Sequence, residues 1–129
     1  MKNNMIYAIL AMVLAPTIGH SNESKCLAEI MFSEASGESL EGLIAVAQAS
    51  LNRSKGTNRS ICGLRGVTRR VLPSNIAKHY ISLAASIMDG GVSIVGKADS
   101  WERAKKPRYA GRITRRIGEH TFYVSRRLG

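Results

Sequence analysis

A mostly helical α+β domain is what this sequence predicts, and three observations carry the prediction. Apolar residues recur at the helical period in three segments between residues 25 and 89. Glycine- and proline-containing breaks separate those segments. Near the end the pattern changes to alternation, as in a small β-hairpin. At 129 residues the chain has room for one compact domain and not for two ordinary ones.

The first stretch stands apart from the fold. Lys2 supplies a positive start, Met5 to Val13 is almost wholly apolar, and Pro16, Gly19 and Ser21 form a small-residue exit. Residues 1–21 therefore read as a secretory signal peptide, with residues 22–129 as the single folded domain. The apolar run is shorter than the ~20 residues that span a bilayer. The alternative reading is an uncleaved leader that tethers the protein to a membrane. Cleavage after Ser21 leaves 108 residues and lowers the formal net charge from +10 to +9. The expected location is the periplasm or the extracellular space.

Lys25 to Ala35 reads as the first helix, because Leu27, Ile30, Met31 and Glu34 share one face. Ser36-Gly37 breaks it. Ser39 is an N-cap residue for the second helix, with Glu41 in the first turn, where the macrodipole favours negative charge. Leu40, Leu43, Ile44, Ala47 and Leu51 continue that helix, and Asn52-Arg53 and Gly56 close it. Ser54 to Ser60 is a polar loop, and Cys62 to Leu72 fits no single pattern. Pro73-Ser74 opens a third helix with the stripe Ile76, Tyr80, Leu83, Ala84, Ile87 and Met88, ended at Asp89-Gly90-Gly91. Val92 to Gly111 reads as a long surface segment. Ile113, Arg115 and Ile117, then His120, Phe122 and Val124, form the two arms of the hairpin.

Cys26 and Cys62 are an even pair in an exported chain, which argues for one disulfide; two separate buried thiols are the alternative. Neither cysteine has metal spacing, and His79 and His120 add no ligand cluster, so no metal and no cofactor are expected. The basic surface favours anionic envelope polymers or lipid as partners, and export disfavours nucleic acid. A soluble positive surface with no dedicated partner explains the charge equally well.

Nine carboxylates remain to be weighed. Glu23, Asp89, Glu102 and Glu119 fall in expected turns or solvated stretches, Glu29 lies off the apolar face, and Asp99 lies beside Trp101 in the 92–111 segment. Glu34, Glu38 and Glu41 cluster at one helix-to-helix junction, and of these only Glu34 continues an apolar stripe. A carboxyl group there is partly desolvated. Desolvation raises its pKa, which suits a general acid near neutral pH. A network or capping role is the bland alternative for Glu34, and capping is the stronger reading for Glu38 and Glu41.

The run Ala28, Phe32-Ser33-Glu34-Ala35, Gly37-Glu38, Glu41-Gly42, Ala45-Val46-Ala47 and Leu51-Asn52-Arg53 resembles the opening of the spore-cortex-lytic enzymes, the cell wall hydrolase family. Ile117-Gly118, His120 and Phe122 resemble its closing motif, and Ser60-Ile61-Cys62-Gly63 its middle. The resemblance implies a lysozyme-like or resuscitation-factor-like helical core acting on peptidoglycan glycan strands. It implies that Glu34 is the catalytic acid of a lytic transglycosylase. Such an enzyme cuts between N-acetylmuramic acid and N-acetylglucosamine and leaves 1,6-anhydro ends.

A single-acid scheme is physically coherent, whereas most glycosidases need two carboxylates across the scissile bond. Muramidase-type hydrolysis of the same bond is the runner-up. A non-catalytic basic protein that binds the envelope is the reading from another class. Glu38, Glu41, Arg53 and His120 are the expected supporting residues. Trp101, Asp99 and Tyr80 are the expected substrate contacts, with a half-buried core position as the alternative for Trp101. The domain is read as a monomer, a phage endolysin or a bacterial wall-remodelling enzyme. One departure from the family stands out. Leu64-Arg65-Gly66-Val67-Thr68-Arg69-Arg70 replaces a stretch that is aromatic and glutamine-rich in relatives, so glycan binding differs there.

Overall fold

The computed structural model describes residues 21–90 and 93–126, in which three helices pack beside a small antiparallel sheet. The expected mostly helical α+β architecture is present. The leader expected over 1–21 lies outside the described residues except for Ser21. Among the described residues no helix is long and apolar enough to cross a membrane.

Helix α1 spans Ser21–Ala35. Leu27, Ile30 and Met31 are fully buried, as the stripe requires. The helix begins earlier than periodicity indicates, and this corrects the reading of Glu23. Its carboxylate accepts the Ile61 and Cys62 amides at 3.3 and 3.1 Å, anchoring a 3₁₀ turn at Ile61–Gly63. The Cys26–Cys62 disulfide ties the same two elements together. Closing a loop of 36 residues stabilises the fold by about 3–4 kcal/mol in the chain-entropy model.

Helix α2 spans Leu40–Thr57. The Ser39 hydroxyl caps it by accepting the Gly42 amide at 3.2 Å. It runs past Gly56 and ends where Asn58 takes the left-handed conformation at φ 54°. Ala45, Val46, Ala47 and Ala49 are fully buried, and these small side chains let α2 lie close to its neighbours. Helix α3 spans Ser74–Asp89, starts directly after Pro73 and buries Ala84 and Ile87; it packs chiefly on α1.

The sheet has the order β1-β3-β2, with β1 at Ser100–Glu102, β2 at Ala110–Ile117 and β3 at His120–Ser125. The hairpin β2-β3 is where alternation placed it. The third strand is not, and it corrects the reading of 92–111 as surface. Val95, Ala98, Ser100, Trp101 and Pro107 are buried. One face of α2 holds this segment through polar side chains. The Gln48 carboxamide oxygen accepts the Ile94 and Val95 amides at 2.7 and 2.8 Å. Asn52 donates to the Gly96 and Ala98 carbonyls at 2.9 and 2.8 Å. Arg53 Nε donates to the Asp99 carbonyl at 2.8 Å. These bonds satisfy backbone groups that no strand or helix would satisfy there. They deliver β1 to the edge of β3, with Trp101 opposite Phe122. In the central strand β3, His120, Thr121, Phe122 and Tyr123 are all buried, so alternation is masked where both faces are covered.

Candidate active site

Glu34 stands one residue before the end of α1, at the edge of its apolar stripe. It opens into a cleft of about 280 Å³ lined by Ser33, Glu34, Trp101, Glu102, Arg103 and His120. The carboxyl group is half-buried, and burial pushes its pKa above the ordinary value. Four groups pull the other way: the Thr68 amide that donates to it, the Arg53 charge, the Trp101 indole that donates to it, and the Arg103 charge. Desolvation wins over all four.

Trp101 is only 9% exposed, so its part in the cleft is to hold Glu34 more than to offer a broad face. The Arg53 guanidinium lies 5.1 Å from the centre of its ring. Arg53 is itself buried, and it bonds the Arg65 carbonyl at 3.0 Å and the Ser100 hydroxyl at 3.3 Å besides Asp99. A planar fork with several fixed donors is suited to such a junction. Arg53 therefore ties α2, the 64–73 segment and β1 around Glu34. It does not bond Glu38 or Glu41.

Glu38 supports the cleft from the α1–α2 turn. One carboxylate oxygen accepts the Glu119 amide at 3.3 Å and lies 3.4 Å from His120 Nδ1. Gly118 is required at this point. It adopts φ 57°, and a Cβ there would collide with the Glu38 carboxylate. His120 is 3% exposed, and its Nδ1 has no hydrogen-bond partner. Burial lowers the His120 pKa, opposed chiefly by the Glu38 charge. Burial favours the neutral ring, and the adjacent Glu38 carboxylate favours the charged one.

The other expected contacts lie elsewhere. Glu41 pairs with Arg115 at the surface. Asp99 lines neither this cleft nor the one described below; one of its carboxylate oxygens accepts from the Ser100 hydroxyl at 3.1 Å and the Ser125 amide at 2.9 Å. Tyr80 also lines neither; its ring stands edge-on to Phe32 at 5.6 Å. Sequence reasoning missed Glu102, which is not a solvated turn residue. It follows Trp101 in β1, lines the cleft and accepts the Tyr123 hydroxyl at 2.7 Å. Burial and that bond push the Tyr123 pKa far above the usual tyrosine range. The one hint in the sequence was Trp101 at the preceding position, an aromatic residue of the kind that favours strands.

The arrangement combines a carboxyl group with a raised pKa, a buried imidazole and a second carboxyl group in one concave site, the equipment of general acid–base chemistry. Searches against family models, curated proteins and solved structures returned no match.

Proposed function

We propose that this protein is a secreted, monomeric enzyme that cuts the glycan strands of peptidoglycan. Glu34 is the acid in this reading. It donates its proton to the glycosidic oxygen as the bond to the muramic acid anomeric carbon breaks. The substrate's acetamido group supports the oxocarbenium-like centre. Ionised Glu34 then takes the proton of the sugar's 6-hydroxyl as that oxygen bonds the same carbon, giving a 1,6-anhydro end. The half-buried carboxyl at the cleft, protonated beyond its ordinary range, carries the reading. The likeness of the Glu34 segment to the cell wall hydrolases supports it.

Glu102 favours a second reading on one observation: it brings a second carboxylate to the same cleft. Two carboxylates are the usual equipment for hydrolysis. In that reading water takes the place of the 6-hydroxyl, and Glu102 activates it or stabilises the cationic centre.

Mass spectrometry of muropeptides released from purified walls tests both. Anhydro ends, abolished by Glu34→Gln and retained in Glu102→Gln, support transglycosylation. Reducing ends, lost in both variants, support hydrolysis. Killing that survives Glu34→Gln and fades with added salt would instead make this a basic envelope-binding protein.

A further inference from the structure

A second cleft, of about 410 Å³, is lined by Arg53, Arg65, Gly66, Ser100, Tyr109, Tyr123 and Ser125. Its lining touches that of the Glu34 cleft. On one side, Ser100 lines it while Trp101 and Glu102, the next two residues of β1, line the other. On the opposite side, Arg65 and Gly66 line it while Thr68 donates its amide to Glu34. Arg53 here stacks on Trp101 there, and Tyr123 here bonds Glu102 there. Each of these contacts joins a residue of one lining to a residue of the other, so the two clefts are neighbours.

Their chemistry differs. The Glu34 section carries two carboxyl groups beside the Arg103 guanidinium and the His120 ring. The second section carries two guanidinium groups and two phenol rings. Asp99 answers the charge of Arg53. Among the described residues no carboxylate pairs with Arg65, which is exposed. Arg108 lies over the Tyr109 ring at 5.5 Å, and the Arg126 amide donates to the Tyr109 carbonyl, so more positive charge surrounds the same end. Gly66 takes φ 73°, a left-handed conformation that favours glycine, and stands beside an Arg53 guanidinium nitrogen.

We infer that this second cleft is a binding site for a carboxylate-bearing substituent of the glycan, the lactyl or peptide portion of a muramic acid residue seated next to the bond cut at Glu34. Arg65 is its principal cation, and Tyr109 and Tyr123 flank the sugar-proximal part. The inference rests on the peptidoglycan reading and names which glycan the groove prefers: one that carries its acidic peptide.

The test is ligand binding to the full folded chain as Glu34→Gln, followed by amide NMR shifts. The probes are N-acetylmuramyl-L-alanyl-D-isoglutamine, neutral chitotriose and glycerol 3-phosphate. The muramyl peptide should shift the amides of Arg65, Gly66 and Tyr109. Arg65→Ala should weaken it about tenfold, a charge-assisted contact's worth, and weaken chitotriose far less. Arg65→Lys should restore part of the loss. Equal binding of the muramyl peptide and chitotriose, with or without Arg65, overturns the inference. So does tighter binding of glycerol 3-phosphate at these residues, which makes the site one for phosphate polymers. If the muramyl peptide binds as stated but wild-type protein leaves walls intact, the enzymatic reading fails and this site stands. If walls are cut but Arg65 does not discriminate, only this site fails.

Discussion

Glu34 and Glu38 are four residues apart, yet the fold treats them in opposite ways. Glu38 faces the β2–β3 turn, where the Glu119 amide donates to it and His120 stands beside it. Glu34 faces a cleft, where loss of water outweighs the donors and cations around it. One carboxylate joins two parts of the fold, and the other is kept under electrostatic stress. Two groups of the same chemistry acquire different tasks from their surroundings alone. Residues held in a costly state at the expense of stability are characteristic of sites that act on a ligand.

The largest expected effect that can break this comparison is on turnover. Glu34→Gln should lower wall lysis by roughly 10²- to 10⁴-fold, the range of a general acid, in a turbidity assay with purified walls. Glu38→Gln should lower it far less, because its carboxamide still accepts the Glu119 amide. Equal losses in the two variants would erase the distinction.

The next effect is on stability and has opposite signs for the two sites. Folded Glu34 holds its proton more tightly than unfolded Glu34, whose ordinary value is 4.5. Its favourable contribution is therefore full below that value and is lost as pH rises through the folded pKa. Glutamine suffers no such loss. The melting temperature of Glu34→Gln relative to wild type should rise as pH climbs above 4.5 and level off once pH has passed the folded pKa. His120 behaves in the reverse sense. Its folded pKa lies below the ordinary 6.5, so its contribution is present above that value and fades as pH falls through the folded one. His120→Gln should flatten the acid side of the stability profile and leave the neutral side with its slope. Parallel profiles for wild type and Glu34→Gln would show that Glu34 is not desolvated.

Gly118→Ala sharpens the Glu38 side. The alanine meets both a left-handed backbone and the Glu38 carboxylate, at a cost of about 1–3 kcal/mol. Thermal unfolding should show the loss, and Glu38→Ala in the same chain should relieve part of it. The smallest effect belongs to the third carboxylate of the junction. Glu41 is 46% exposed and paired with Arg115, so Glu41→Gln should change stability by less than about 1 kcal/mol. A larger change would mean that Arg115 positions the hairpin.

What could be read from the chain alone followed from local rules. The period of Leu27, Ile30 and Met31 placed Glu34 at the end of a buried face, and Ser39 marked the start of α2. The cysteine pair pointed to its disulfide. The alternation after residue 112 located the hairpin. Each is a short-range pattern of side-chain polarity or capping, and such patterns survive without knowledge of neighbours.

Tertiary structure alone decided the remainder. Residues 94–99 look like loop because their partners, Gln48, Asn52 and Arg53, lie more than forty positions away. Glu102 looks solvated until β1 pairs with β3 and turns it into the cleft. Glu23 looks like a turn residue until Ile61 and Cys62 present their amides. Whether a carboxylate is stressed or satisfied depends on which donors the folded chain carries to it, and sequence spacing holds no record of that.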